Sequence, residues 1–135
     1  MKFKEKLASK IKEFREEYEM QQKELADLLG VSRQTIYYLE KGTYTPKLTL
    51  SLKIARIFKK SMEEIFFLEP LIREVIGSIT IDELERVSKS TGIERDRIET
   101  LRKINNQELN EGYSKKELVK LSRALGYKFE SLFEE

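Results

Sequence analysis

The sequence predicts an all-α protein built as two helical lobes, on three observations. Apolar residues recur at intervals of three and four along most of the 135 residues, and no stretch sustains an alternation of period two. Glycines, prolines and capping residues cut that pattern into short pieces. Segments of the second half repeat segments of the first at nearly constant offset.

The elements follow in order. Phe3, Leu7, Ile11, Phe14 and Tyr18 recur every three or four residues and predict one long first helix. Leu25, Leu28 and Leu29 mark a short second helix that stops at Gly30. Ile36 and Leu39 anchor a third, with Ser32 as its N-cap. "KGTYTPK" contains Gly42 and Pro46 and reads as a loop. Leu50, Ile54, Ile57 and Phe58 define a fourth helix, and "SMEEIFF" a fifth, opened by a capping box from Ser61 to Glu64. The pattern changes near Glu69-Pro70, and Pro70 suits the first position of a new helix. The expected domains are therefore 1–69 and 70–135.

The second domain looks like a diverged copy of the first. "TGIERDRIETL" (91–101) aligns with "LGVSRQTIYYL" (29–39), so that Gly92 falls on Gly30, Ile93 on Val31, Ile98 on Ile36 and Leu101 on Leu39. "LSRALGYKFESLF" (121–133) aligns with "IARIFKKSMEEIF" (54–66) at a larger offset, which predicts a longer loop within 103–114. Two further capping boxes, Thr80 to Glu83 and Ser114 to Glu117, start helices of this half.

Composition narrows the function. The chain has no cysteine and no histidine, which removes disulfides, thiolate metal sites and the usual nucleophile–base pairs. Its acids are spread along helical charge patterns beside Lys or Arg, so neither an enzyme nor a cofactor or metal site is expected. The basic start "MKFKEKLASKIKEF" has no apolar run long enough for a signal peptide or a membrane span, and a cytoplasmic protein is expected. Lys+Arg 26 against Asp+Glu 24 gives a net charge of only +2, so any affinity for nucleic acid must come from a local patch.

One constellation carries such a patch. "IKEFREEYEMQQKELADLLGVSRQTIYYLEKG", then "TP", then "LKIARIFKKSMEEIF", resembles the Cro/phage-repressor-type helix-turn-helix family, also called the xenobiotic-response-element family, over residues 7–68. The resemblance implies a lambda-repressor-like five-helix domain that binds operator DNA and regulates transcription, more often by repression. It makes the helix 32–40 the reading helix. An α-helix fits the major groove, where Arg can bind guanine and Gln adenine in bidentate fashion. Arg33 and Gln34 occupy the end that reaches base edges in such proteins, with Tyr38 one turn on and Tyr37 beside it. By the same resemblance Gln22 holds a phosphate and braces the reading helix. Lys23, Ser32, Thr43 and Lys47 are candidate phosphate contacts, and Arg15 with Glu40 is a structural ion pair. The family has Thr or Ser where this chain has Gln21, which implies a weaker start to the second helix.

The second domain keeps the apolar skeleton and changes the surface. Residues 1–69 hold 14 basic and 11 acidic side chains, and residues 70–135 hold 12 and 13. "ERDRIET" stands where the reading helix would be, and Leu84 where Gln22 would be. Acidic groups facing phosphates are repelled, so this copy is expected to assemble a homodimer on two-fold DNA rather than read DNA itself. The apolar stretch 72–81 and the terminal "LFEE" suit either such an interface or internal core. Two other roles fit the same features: the antitoxin of a toxin–antitoxin pair that represses its own promoter, with a regulatory protein partner on the acidic half, or a protein-interaction adaptor that has lost DNA.

Overall fold

A computed structural model describes residues 1–135. The strands β1 (Lys2–Phe3) and β2 (Glu5–Ser9) open the chain, followed by the helices α1 (Ile11–Glu17), α2 (Gln22–Leu29), α3 (Arg33–Lys41), α4 (Leu48–Phe58) and α5 (Met62–Ile65). β3 (Phe66–Pro70) leads into α6 (Leu71–Ser78), α7 (Ile81–Thr91), α8 (Arg95–Thr100), α9 (Asn106–Gly112), α10 (Lys115–Ala124) and α11 (Phe129–Leu132), and β4 (Phe133–Glu134) ends it. The protein is thus mainly helical, with four short strands. They form two-stranded sheets, β1 with β4 and β2 with β3. No helix is long and apolar enough to cross a membrane.

The chain divides into two compact units. The first is Lys6–Leu68. Its core is Ile11, Leu25, Ala26, Leu29, Ile36, Leu39, Ile54, Phe58 and Ile65. Leu25, Ala26 and Leu29 fall on one face of α2 because residues four apart share a helix face, and the small Ala26 allows close approach. Ile36 and Leu39 do the same for α3 and are buried, at 0% and 3% exposure. Burial of each such side chain contributes about 1.5–3 kcal/mol, which fixes α3 against α2 and decides which of its faces looks outward. Leu28, on the opposite side of α2, stays exposed.

The second unit is Met1–Glu5 with Glu69–Glu135. Its core gathers Ile72, Ile76, Leu84, Val87, Ile93, Ile98, Leu101, Leu109, Tyr113, Leu118, Leu121, Phe129, Leu132 and Phe133, and it includes Phe3 from the start of the chain. The apolar residues of 72–81 and of the terminal "LFEE" are therefore largely internal core; Ile81 alone among them stands out, 72% exposed. The Thr80–Glu83 and Ser114–Glu117 capping boxes form reciprocally, each side chain accepting from the other residue's backbone N–H. At Ser61 only the forward half forms, its Oγ accepting from Glu64 N–H at 3.2 Å.

Three expectations are corrected. The long first helix begins only at Ile11, and residues 2–3 and 5–9 are strands. A spacing of four puts residues on one face of a strand as well as of a helix, and Lys2, Lys4 and Lys6 alternate with period two. Pro70 is the N-cap of α6 rather than its first residue. The long loop of 103–114 contains a helix, α9, fixed by the buried Leu109 and capped by Asn105.

Candidate nucleic-acid interface

The site is built on α2, the turn after it, α3 and the loop to α4. Gly30 closes α2 in the left-handed conformation, φ +72°, with its N–H bonded to Asp27 O. Ser32 then opens α3, its Oγ accepting from Thr35 N–H at 3.1 Å. The helix start at Gln21 is supported by the Glu24 carboxylate, which accepts from Gln21 N–H at 3.3 Å. With Ile36 and Leu39 turned inward, Arg33, Gln34, Tyr37 and Tyr38 form the outward face of α3.

A hydrogen-bonded chain runs from the interior of the unit to that face. Arg15 grips Glu40 in a bidentate pair, Nε to Oε2 and Nη2 to Oε1, both 3.0 Å. Its Nη1 donates to Met20 O at 2.9 Å. The two side chains are 12% and 6% exposed, and hydrogen bonding to Glu40 holds the guanidinium above its ordinary pKa despite burial. Glu40 Oε1 also accepts from Gln22 Nε2 at 3.3 Å. Because an ionised carboxylate can only accept, it turns the amide nitrogen of Gln22 inward and the amide oxygen outward. That oxygen accepts from Arg33 Nη1 at 2.9 Å. The orientation of the outermost arginine is therefore set by the buried pair.

The rest of the face is ordered by smaller contacts. Tyr37 and Tyr38 meet edge to face with ring centres 5.6 Å apart, and Lys41 Nζ lies 4.9 Å over the Tyr37 ring. Thr43 N–H donates to Tyr38 O at 3.1 Å, which ties the loop to the end of α3. Lys47 caps α4, its carbonyl accepting from Ser51, and its ammonium is exposed. Lys23 is exposed on the first turn of α2. A hollow of about 310 Å³ beside the turn is lined by Gly30, Val31, Tyr44, Lys47 and Lys53 among others. Nothing in the local sequence pattern sets Lys53 apart, and only the approach of α4 to the turn brings it beside Tyr44 and Lys47.

The matching positions of the second unit are arranged differently. Arg95 and Arg97 on α8 are both paired, Arg95 with Glu85 at 3.0 Å and Arg97 with Glu117 at 2.8 Å. Arg97 also donates to Gly112 O at 2.7 Å and lies over the Tyr113 ring, whose hydroxyl donates back to Arg97 O. At the offset that places Gly92 on Gly30, Gly77 stands for Arg15, Leu84 for Gln22 and Arg102 for Glu40. Leu84 is buried, and Arg102 pairs with Glu99 at 3.2 Å. The interior brace is absent from this unit.

Comparison with known proteins agrees with this division. Residues 11–65 match the family described as helix-turn-helix, and residues 68–121 match one described as YNR034W-A-like. The chain is similar to an uncharacterized HTH-type transcriptional regulator of Archaeoglobus fulgidus, 49% identical over 63 residues, which are 47% of this chain and 89% of that protein. It is similar to the HTH-type transcriptional regulator YgzD of Bacillus subtilis, 43% identical over 47% of this chain and 96% of the relative. A cryptic phage CTXphi transcriptional repressor, RstR of Vibrio cholerae, is 36% identical over 43% of this chain and 52% of its own length.

Proposed function

This chain belongs to the helix-turn-helix family of DNA-binding transcriptional regulators, and from that premise we propose that it is a sequence-specific repressor. It reads operator DNA in the major groove with α3. The observation that supports this reading is the chain Arg15–Glu40–Gln22–Arg33, which presents an oriented guanidinium at the N-terminal end of α3. Arg33 reads guanine and Gln34 the neighbouring base, with Tyr38 and Tyr37 over the next pairs. Lys23, Ser32, Thr43 and Lys47, together with Lys53, hold the phosphates on either side and set the register. Occupancy of promoter DNA is sufficient for repression, and no chemistry is required of the protein.

One helix reads only a few base pairs. The regulator therefore acts as a homodimer on half-sites about 34 Å apart, one turn of the duplex, and the second unit serves assembly. The paired state of Arg95 and Arg97 supports that assignment, since neither guanidinium is left to approach a phosphate without breaking an ion pair. Selection of binding sites from a random duplex pool, with the full chain at near-physiological salt, tests the reading. An enriched two-fold palindrome is expected. Absence of any enriched sequence would overturn sequence-specific regulation and turn attention to a protein partner, as in an antitoxin or an adaptor.

A further inference from the structure

The second unit concentrates positive charge on one helix. α10 carries four of the twelve basic residues of 70–135 and one of the thirteen acids. Its exposed side chains are Lys115, Lys116, Lys120 and Arg123. The one acid, Glu117, is held by Arg97 at 2.8 Å and by the Ser114 N–H at 3.1 Å, and Lys115 is paired with Glu135. Lys116, Lys120 and Arg123 pair with no acid within 4.0 Å, whereas Arg73, Arg95, Arg97 and Arg102 of the same unit each do. Spacings of four and three put the three free cations on one face of α10. At 1.5 Å per residue they span about 10 Å.

This stripe runs against local helix energetics. Lys116 lies in the first turn, at the positive end of the helix dipole, where a carboxylate is the stabilising choice. Lys116 and Lys120 are like charges four residues apart, an arrangement that destabilises a helix. Neither burial nor an ion pair offsets these costs. Local rules broken without a compensating contact mark a functional surface.

The place of the stripe in the unit is a second observation. In the alignment that puts Arg123 on Arg56, Lys116 falls on Thr49 and Lys120 on Lys53. Thr49 and Lys53 line the hollow beside the turn of the first unit. The second unit is thus the more basic of the two on this face, although the arginines of α8 are closed by ion pairs. Three cations over about 10 Å match one strand of duplex DNA, which carries a phosphate about every 3.4 Å along the axis. A protein partner would call for apolar contact at the centre of the interface. α10 exposes no large apolar side chain, and its Leu118 and Leu121 are buried.

We infer that α10 is a sequence-independent contact for the backbone of duplex DNA, with Lys116, Lys120 and Arg123 each neutralising a phosphate. The inference rests on the DNA-binding reading above and gives the second unit a part in binding besides assembly.

The full chain carrying Lys116→Gln, Lys120→Gln and Arg123→Gln is titrated with the selected site and with random-sequence duplex at several salt concentrations. The slope of log K against log salt is expected to fall by about two to three units, and affinity for both duplexes by roughly tenfold or more, with the ratio between them kept. The control carries Lys89→Gln, Lys103→Gln and Lys128→Gln, three exposed lysines elsewhere in the unit. It should keep most of the slope; a loss equal to that of the stripe variant would assign the effect to net charge and overturn the inference. An unmodified chain that binds neither duplex removes the DNA-binding reading and this inference together. A chain that selects its site with a slope indifferent to the stripe removes this inference alone. Lys116→Gln by itself should hold or raise the midpoint of denaturant unfolding, since it takes a cation from the positive end of the helix. A lower midpoint would make Lys116 a support of the fold and count against the inference.

Discussion

At the residue scale the proposed reading face rests on a few side chains whose roles separate experimentally. Arg33→Ala is expected to lose about 1–3 kcal/mol of specific binding and to relax one position of the selected site. Unchanged affinity and preference would displace α3 as the reading helix. Gln22→Met keeps the length of the side chain and removes both its bonds, so Arg33 loses its orientation. The expected result is a smaller preference at the Arg33 position, measured by competition against random duplex. Lys47→Ala is expected to weaken all sequences alike and to lower the slope of log K against log salt by about one unit.

At the scale of elements, the pair that joins α1 to α3 and the turn between α2 and α3 are points where single substitutions act strongly. Arg15→Met leaves the Glu40 carboxylate nearly buried and unpaired, and should cost about 3 kcal/mol in a denaturant titration, the lower end for such pairs. Arg15→Met with Glu40→Leu should recover much of that loss, because two apolar groups leave no charge stranded. Gly30→Ala meets no steric neighbour, so its effect is the conformational cost of φ +72°, about 1 kcal/mol. In the second unit, the Arg97 guanidinium, and after it the Ser114 backbone N–H, hold the Glu117 carboxyl below the ordinary range. A lowered folded pKa contributes stability that is present above the unfolded value, near 4.3, and is lost as pH falls through the folded one. Both partners are more than a third exposed at the side chain, so the effect is modest. Glu117→Gln should make acid unfolding less steep, seen as a smaller difference in midpoint between pH 7 and pH 3.

At the scale of the whole molecule, two helical units of similar plan carry different surfaces. The element order of the first unit returns in the second with α9 added, and Ile36 and Ile98, at matching positions, are both fully buried. Where the first unit carries the brace from Arg15 to Arg33, the second carries Gly77 and Arg102, and its outward arginines are tied to Glu85 and Glu117. Removing residues 1–5 is expected to destabilise the second unit, since Phe3 leaves its core, and a denaturant titration should show a lower midpoint. An unchanged midpoint would show that this core closes without the strand.

Much of this was determined by the sequence alone. The periodic apolar residues of α2, α3 and α4, the caps at Ser32, Thr80 and Ser114, and the glycines at 30 and 92 act over one or two helical turns, so their spacing is enough to place helices, the turn and the outward face of α3. The Arg15–Glu40 pair came from the family resemblance, and its geometry follows from helix packing. What only the tertiary structure decided involves groups far apart in sequence. Phe3 pairs with Phe133 rather than continuing a helix, because a four-residue spacing serves strand and helix equally and only the available edge of β4 selects between them. α9 forms within an expected loop because Leu109 finds the second core. Lys53 joins the turn, and the Gln22 amide is oriented between Glu40 and Arg33, through neighbours contributed by other helices. Local pattern fixes which face a helix presents; the partner each face meets depends on long-range packing, which no short window of sequence contains.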